Sequence, residues 1–242
     1  MIIKSKGKVV SKNEIYELNK KLSEKSTEEV LDYFFKNFQN LAFSTSLAAE
    51  DQVVSDLIFK NSDKTRVFTL DTGRLHPETY DVMDATNLKY QTKIEVFLPN
   101  SKEVEKLYQS QGVNGHFESI EKRKTCCYIR KIEPLKRALK NVDVWITGLR
   151  SAQNITRSNT PLIEWDNVFN LIKLNPIISW SHEDVWNYIK QNNVPYNKLH
   201  DQGYPSIGCA PCTRAIKDGE DFRAGRWWWE NPENKECGLH KK

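Results

Sequence analysis

Leu41-Ala-Phe-Ser-Thr-Ser46, running straight into Leu47-Ala-Ala-Glu-Asp-Gln-Val-Val-Ser-Asp-Leu-Ile-Phe59, reads as a short buried strand, a polar turn and a helix. The same unit recurs on either side. A strand over 66–70 ends in Asp71-Thr72-Gly73 and precedes a helix between Pro77 and Asn87. A strand over 93–98 is closed by Pro99-Asn100 and followed by a helical stretch through Tyr108. A strand over 142–147 ends in Gly148-Leu149-Arg150. Further on come a strand over 168–174 and a helix over 183–191, capped by Ser181 with Asp184 three residues later. Upstream, helical spacing runs over 12–38, with Ser26 a cap before Thr27. Apolar strands alternating with helices predict an α/β fold, an open and mostly parallel sheet with helices on both faces. After Asn193 the chain turns irregular and rich in Pro and Gly, so a loop-rich C-terminal region is expected.

Charge excludes some partners. The 242 residues carry 36 Lys and Arg against 32 Asp and Glu, interleaved rather than massed, which is too balanced to imply nucleic acid by itself and suits a local basic pocket for a small anion. The mixed-charge stretch over 4–36 is a solvated helical face. The N-terminal sequence lacks the apolar run of a signal peptide, and no stretch approaches the ~20 apolar residues of a membrane span. A cytoplasmic protein of one large domain is expected, and a homo-oligomer is compatible with the sequence.

The five cysteines divide unevenly. Cys126 and Cys127 are adjacent, Cys209 and Cys212 form a Cys-x-x-Cys pair, and Cys237 stands alone near the C-terminal end. An odd count with a contiguous pair is a poor disulfide framework, so ligation or catalysis is the better reading. Adjacent cysteines crowd a single zinc, whereas a 4Fe-4S cube offers separate iron corners, so iron–sulfur is favoured over zinc. A thioredoxin-like redox pair at Cys209 and Cys212 and a burial role for Cys126 and Cys127 are the alternatives. The helix through 122–131 places Lys131 four residues after Cys127, a cation beside whatever the thiolate holds. Cys237 has Lys235, His240, Lys241 and Lys242 near it, which raise thiolate character, and Glu233 and Glu236, which oppose it. It is either the one thiol left for nucleophilic chemistry or an idle surface group.

In doubly wound sheets ligands sit beyond the carboxyl ends of the strands, and here those ends carry Ser44-Thr45-Ser46, Leu70-Asp71-Thr72-Gly73 and Gly148-Leu149-Arg150. The first is either an anion site at a helix N-terminus or a plain helix cap. It is not a Walker A loop, so ordinary ATP hydrolysis is disfavoured.

Together, Ser-Leu-Ala-Ala-Glu-Asp (46–51), Leu-Asp-Thr-Gly-Arg-Leu-His-Pro-Glu-Thr-Tyr (70–80), Cys-Cys-x-x-Arg-Lys (126–131), Thr-Gly-Leu-Arg-Ser-Ala-Gln (147–153), Gly-Cys-x-x-Cys-Thr (208–213), Arg-x-Gly-Arg-Trp-Trp-Trp (223–229) and Glu-Cys-Gly-Leu-His (236–240) resemble the assimilatory, thioredoxin-dependent adenylyl-sulfate reductases from Leu41 onward. The resemblance implies an adenine-nucleotide α-hydrolase-like fold and one 4Fe-4S cluster per subunit on Cys126, Cys127, Cys209 and Cys212. It implies Cys237 as the nucleophile, with His240 assisting AMP departure or orienting the tail. The substrate would be adenosine 5'-phosphosulfate, bound by the three strand ends and by Lys131, Arg150, Arg157, Arg223 and Arg226, and the thiol donor thioredoxin or a glutaredoxin-like protein. The chain would divide into a helical segment over 1–40, a nucleotide-binding domain with the iron–sulfur site over 41–229 and a mobile catalytic tail over 230–242. The paired glycines of the related pyrophosphatase loop Ser-Gly-Gly-x-Asp-Ser are missing at Ser44-Thr-Ser-Leu-Ala-Ala, so a triphosphate should fit badly. Rival readings are use of the 3'-phosphorylated substrate, tRNA thiolation on the same sheet, and a non-catalytic zinc module.

Overall fold

A computed structural model describes residues 4–5, 8–9, 12–153 and 159–231. Two short antiparallel strands, β1 (Lys4–Ser5) and β2 (Lys8–Val9), precede helices α1 (Lys12–Leu22) and α2 (Thr27–Asn37). The helical run expected over 12–38 is therefore two helices. Ser26 closes a reciprocal capping box with Glu29 and restarts the chain as α2.

The opening stretch becomes strand β3 (Leu41–Thr45) and helix α3 (Ala49–Asn61). Then follow β4 (Arg66–Leu70), α4 (Pro77–Tyr90), β5 (Glu95–Phe97), α5 (Ser101–Gln111), α6 (Ile120–Cys127), α7 (Glu133–Ala138), β6 (Val144–Ile146), β7 (Ile163–Asp166), β8 (Leu171–Leu174) and α8 (His182–Gln191). The six-stranded sheet has the order β5-β4-β3-β6-β8-β7, parallel throughout except where β7 pairs antiparallel with β8. The short hairpin partner β7 has no counterpart in the sequence reading.

Alternation along the strands sorts the core into two layers, because successive side chains leave a strand on opposite faces. Phe43, Val67, Val144 and Ile146 join one cluster with residues of α1, α2, α3 and α8, whereas Ala42, Phe68 and Trp145 join a second with Leu135 and Ala138 of α7. Each fully buried aliphatic or aromatic side chain contributes about 1.5–3 kcal/mol.

The chain over 120–138 is a continuous helical rod with a π-turn at Tyr128–Ile132 between α6 and α7. Pro134 lacks the N–H that a regular turn would use, and the wider turn lies just upstream of it. The extra residue per turn changes which side chains share a face after Cys127.

Candidate active site

The ends of β3, β4 and β6 open into one crevice where the strand order reverses, about 1300 Å³ counted to its mouth. Ser44, Thr45, Ser46, Leu70, Thr72, Lys131, Arg223 and Arg226 all lie on its wall. Asp71 and Gly73 do not line it. Asp71 shapes the turn after β4 instead, its Oδ1 accepting the Gly73 N–H at 2.8 Å and the Tyr80 hydroxyl at 3.0 Å. Arg150 does not line it either. It is buried, and its Nε and Nη2 donate to Glu50 Oε1 at 3.1 and 2.7 Å. Glu50 faces the crevice, so the pair presents its acid rather than its base. Arg157, Cys237 and His240 lie outside the described residues.

The polar turn after β3 is not a side-chain cap. Ala48 occupies the cap position of α3 with no side-chain bond, and the Ala49 N–H goes to His200 Nε2 at 3.1 Å. The Ser46 N–H and hydroxyl both donate to Asp51 Oδ2, at 2.6 and 2.5 Å. Burial pushes the Asp51 carboxyl up to about 6, against the pull of the Ser46 donors and of the Gly148 backbone. Asp51 thus ties the turn after β3 to the turn after β6. The approach at Gly148 is so close that a Cβ there would lie 2.0 Å from Asp51 Oδ1. Across the gap, the Trp145 indole N–H donates to Ser44 Oγ at 2.8 Å. The sequence reading quoted Glu50 and Asp51 in a motif but gave them no part in the site. Two acids in the first turn of a helix at a strand end are the available signal, since helix dipoles favour them there.

The far wall carries the cations. Arg226 Nη1 donates to the Ile207 carbonyl at 2.9 Å, and the side chain crosses Gly208 where a Cβ would stand 2.3 Å from its Nη2. That glycine admits the arginine to the crevice.

A second, smaller cavity adjoins the first, with Lys131 and Cys209 in both walls. Cys126, Cys127, Cys209 and Cys212 all line it, and none forms a disulfide. Arg74, Arg123, Arg130 and Lys131 line it too. Lys131 and Cys127, expected to lie together, share this cavity; the charge of Lys131 also reaches Cys212, while Arg130 acts on Cys126 and Arg123 on Cys127. Burial, reinforced by Cys209, raises the Cys212 thiol to about 12, and burial raises Cys126 as well. The Thr72 hydroxyl is 3.2 Å from Cys209 Sγ. Burial and the charges of Arg74 and Arg130 lower His116 to about 4 and keep it neutral, and its Nε2 is buried with no partner among the described residues.

Four thiols so placed fit a polynuclear iron–sulfur group. Deprotonating them side by side in a buried space is costly unless a positive centre offsets the charge, and the surrounding guanidinium and ammonium groups suit the net negative charge that would result. Among the described residues, no three His, Cys, Asp or Glu side chains close to the spacing of a single ion.

Comparison with known proteins bears on this geometry. The family model of the phosphoadenosine phosphosulfate reductase domain matches residues 40–215. The adenosine 5'-phosphosulfate reductase of Allochromatium vinosum is 49% identical over 214 residues, covering 88% of this chain and 84% of that protein. The enzyme of the same name from Neisseria meningitidis serogroup B is 50% identical over 200 residues, covering 82% and 81%. Among solved structures, the phosphoadenylyl-sulfate reductase of Candida auris in its phosphate complex superposes with a TM-score of 0.74 at 31% identity, over 86% of this chain and 98% of that one. The FMN adenylyltransferase of Candida glabrata shares the fold alone, with a TM-score of 0.55 at 15% identity over 96% and 78%.

Proposed function

The chain belongs to the phosphoadenosine phosphosulfate reductase family, and from that premise we propose that it reduces adenosine 5'-phosphosulfate to sulfite and AMP in sulfate assimilation. The observation that carries this reading is the shared wall: a crevice built from strand ends meets a cavity of four thiols at Lys131 and Cys209. A nucleotide lying over the strand ends would place its phosphosulfate between the serine-rich turn and the cations Lys131, Arg223 and Arg226. These charges offset the repulsion between an incoming thiolate and the sulfate oxygens, and one such donor in a closed site lowers the barrier by about 3 kcal/mol.

The chemistry balances with one cysteine and one dithiol. The Cys237 thiolate attacks the sulfur of the phosphosulfate, an S–S bond forms, and the S–O bond breaks with its electron pair leaving on AMP. A thiolate of thioredoxin or a glutaredoxin-like donor then attacks Cys237 Sγ and expels sulfite with the S–S pair. The donor's second thiol closes the donor disulfide and frees Cys237. His240 would orient the segment or assist AMP departure, and Arg157 would add to the cations. Arg150 enters this scheme through Glu50, as the counterion that holds that acid in the wall.

Cys126, Cys127, Cys209 and Cys212 would hold one 4Fe-4S cluster per subunit. Because the dithiol supplies both electrons, the cluster's contribution when bound is to organise the site and tune its charge. The division into an N-terminal segment over 1–40, a nucleotide domain over 41–229 and a catalytic tail over 230–242 belongs to the same reading, as does a cytoplasmic location. No helix among the described residues is long and apolar enough to cross a membrane.

Sulfite release with thioredoxin and each nucleotide tests the proposal. A clear kcat/KM preference for adenosine 5'-phosphosulfate over its 3'-phosphorylated form is expected, and equal or reversed values contradict it.

A further inference from the structure

A buried ion pair connects the thiol cavity to the C-terminal end of the described chain. Arg123 lies on α6, one turn before Cys126, with 1% of its surface exposed. Its Nε and Nη2 donate to Glu230 Oε1 and Oε2 at 2.6 and 2.8 Å. The guanidinium sits 4.8 Å from the centre of the Trp227 ring, and Arg226 sits at the same distance, 4.8 Å. Trp227 is itself buried, its N–H donates to the Cys212 carbonyl at 3.1 Å, and its φ of +41° is a left-handed conformation that a bulky side chain adopts only under constraint. The Glu230 N–H returns to the Trp227 carbonyl at 2.9 Å.

These contacts form a column, Arg226, Trp227, Arg123 and Glu230, that starts on the crevice wall and runs along the thiol cavity. A buried ion pair adds little net stability over well-packed apolar groups, and its best-attested use is to specify one arrangement. Here the arrangement specified is the place from which the chain departs. Cys237 follows Glu230 by seven residues, so a fully extended chain could carry it at most about 25 Å from that point. Where Glu230 is held thus limits what the thiol can reach.

We propose that Arg123 and Glu230, with Trp227 clamped between Arg123 and Arg226, are positioning residues that fix the root of the Cys237-bearing segment against the thiol cavity. This rests on the reading of Cys237 as the nucleophile. Arg123 also lines the thiol cavity and bears on the Cys127 thiol, so Glu230 is the member of the pair that stands clear of that cavity. The pair acts through the origin of the segment, so loss of Glu230 lowers the rate of nucleophilic attack while leaving nucleotide affinity and cofactor in place.

The test uses the purified, cofactor-loaded enzyme and the variants Glu230→Gln, Arg123→Lys and their combination. Iron, acid-labile sulfide and visible absorption are measured, with KM for adenosine 5'-phosphosulfate, the single-turnover rate of sulfonate formation on Cys237, and tryptic cleavage at Lys235. Expected in Glu230→Gln are unchanged cofactor, KM within about twofold, adduct formation slowed about tenfold and faster cleavage at Lys235; Arg123→Lys, at a residue that also lines the thiol cavity beside Cys127, should slow adduct formation per cofactor bound at least as much. The double variant should be no slower than the slower single one, because the two residues act as one unit. Wild-type adduct and cleavage rates in either soluble variant would overturn the proposal. So would loss of cofactor in parallel with loss of rate in Glu230→Gln, which makes the pair a support of the cavity wall and nothing more. If the unsubstituted enzyme forms no adduct, the nucleophile assignment itself fails; a normal adduct there with unaltered variants sinks only the joint.

Discussion

The crevice and the thiol cavity share a wall but are built by opposite means. The crevice is made of small side chains and backbone at strand ends, Ser44 to Ser46, Thr72 and Gly148, positions that any sheet of this order brings together. The cavity draws two cysteines from a helix and two from a loop more than eighty residues on, and encloses them with long cationic side chains. Solved structures that share only the fold extend to an FMN adenylyltransferase. Architecture alone therefore does not single out this chain, and the thiols and the arginines around them carry what is particular to it.

The comparison breaks most visibly at the cavity. Cys127→Ala or Cys212→Ala should lose iron, sulfide and colour together with turnover, while the fold of the sheet persists by circular dichroism. Removing a partner beyond the ligands typically costs about 10–100-fold in affinity or activity, so removing a ligand should cost more. Retention of the cofactor in either variant would show that the four thiols are not its ligand set.

At the crevice, Gly148→Ala introduces a Cβ 2.0 Å from Asp51 Oδ1. Overpacking of this kind costs about 1–3 kcal/mol, so a lower melting temperature and a raised KM are expected with full cofactor content. A variant with wild-type melting and KM would mean that the two strand-end turns are not locked through Asp51.

Acid separates the two regions more gently. Asp51 titrates near 6, held up by burial, so its charged form, which accepts both Ser46 donors, is lost as pH falls through that value. The decline in kcat/KM should approach tenfold per pH unit below about 6, and Asp51→Asn should abolish that limb. Stability moves the other way for this group. A raised carboxyl pKa makes the folded state bind the extra proton, so Asp51 stabilises the fold below its ordinary range near 3.8 and loses that contribution as pH rises through about 6. His182 and His200, both lowered by burial, have the opposite sign, with their contribution intact above about 6.5 and lost as pH falls.

Much of the crevice was legible because it follows from strand ends, and strand ends follow from apolar runs closed by Ser, Asp, Thr and Gly. The strand β4 (Arg66–Leu70) and the capping box of α8 fall where the sequence places them. What was hidden depends on distance in the chain. Arg150 lies inside a motif and at a strand end, yet Glu50, one hundred residues earlier, pulls it into a buried pair. Arg123 and Glu230 lie 107 residues apart, and nothing local in the sequence pairs them until the fold brings them together. The strand β7 is four residues long and pairs only along one edge, too short for its period to declare itself. The π-turn lies just upstream of Pro134, where the sequence shows only the proline and not the wider turn before it.

Mass spectrometry of the C-terminal peptide, after mixing the enzyme with adenosine 5'-phosphosulfate and no reductant, tests the central claim most directly. A sulfonate on Cys237, formed with one equivalent of AMP and discharged as sulfite when thioredoxin is added, is the predicted result. Sulfite release that proceeds at full rate from a Cys237→Ser variant, with no adduct on any peptide of the wild-type enzyme, would contradict it.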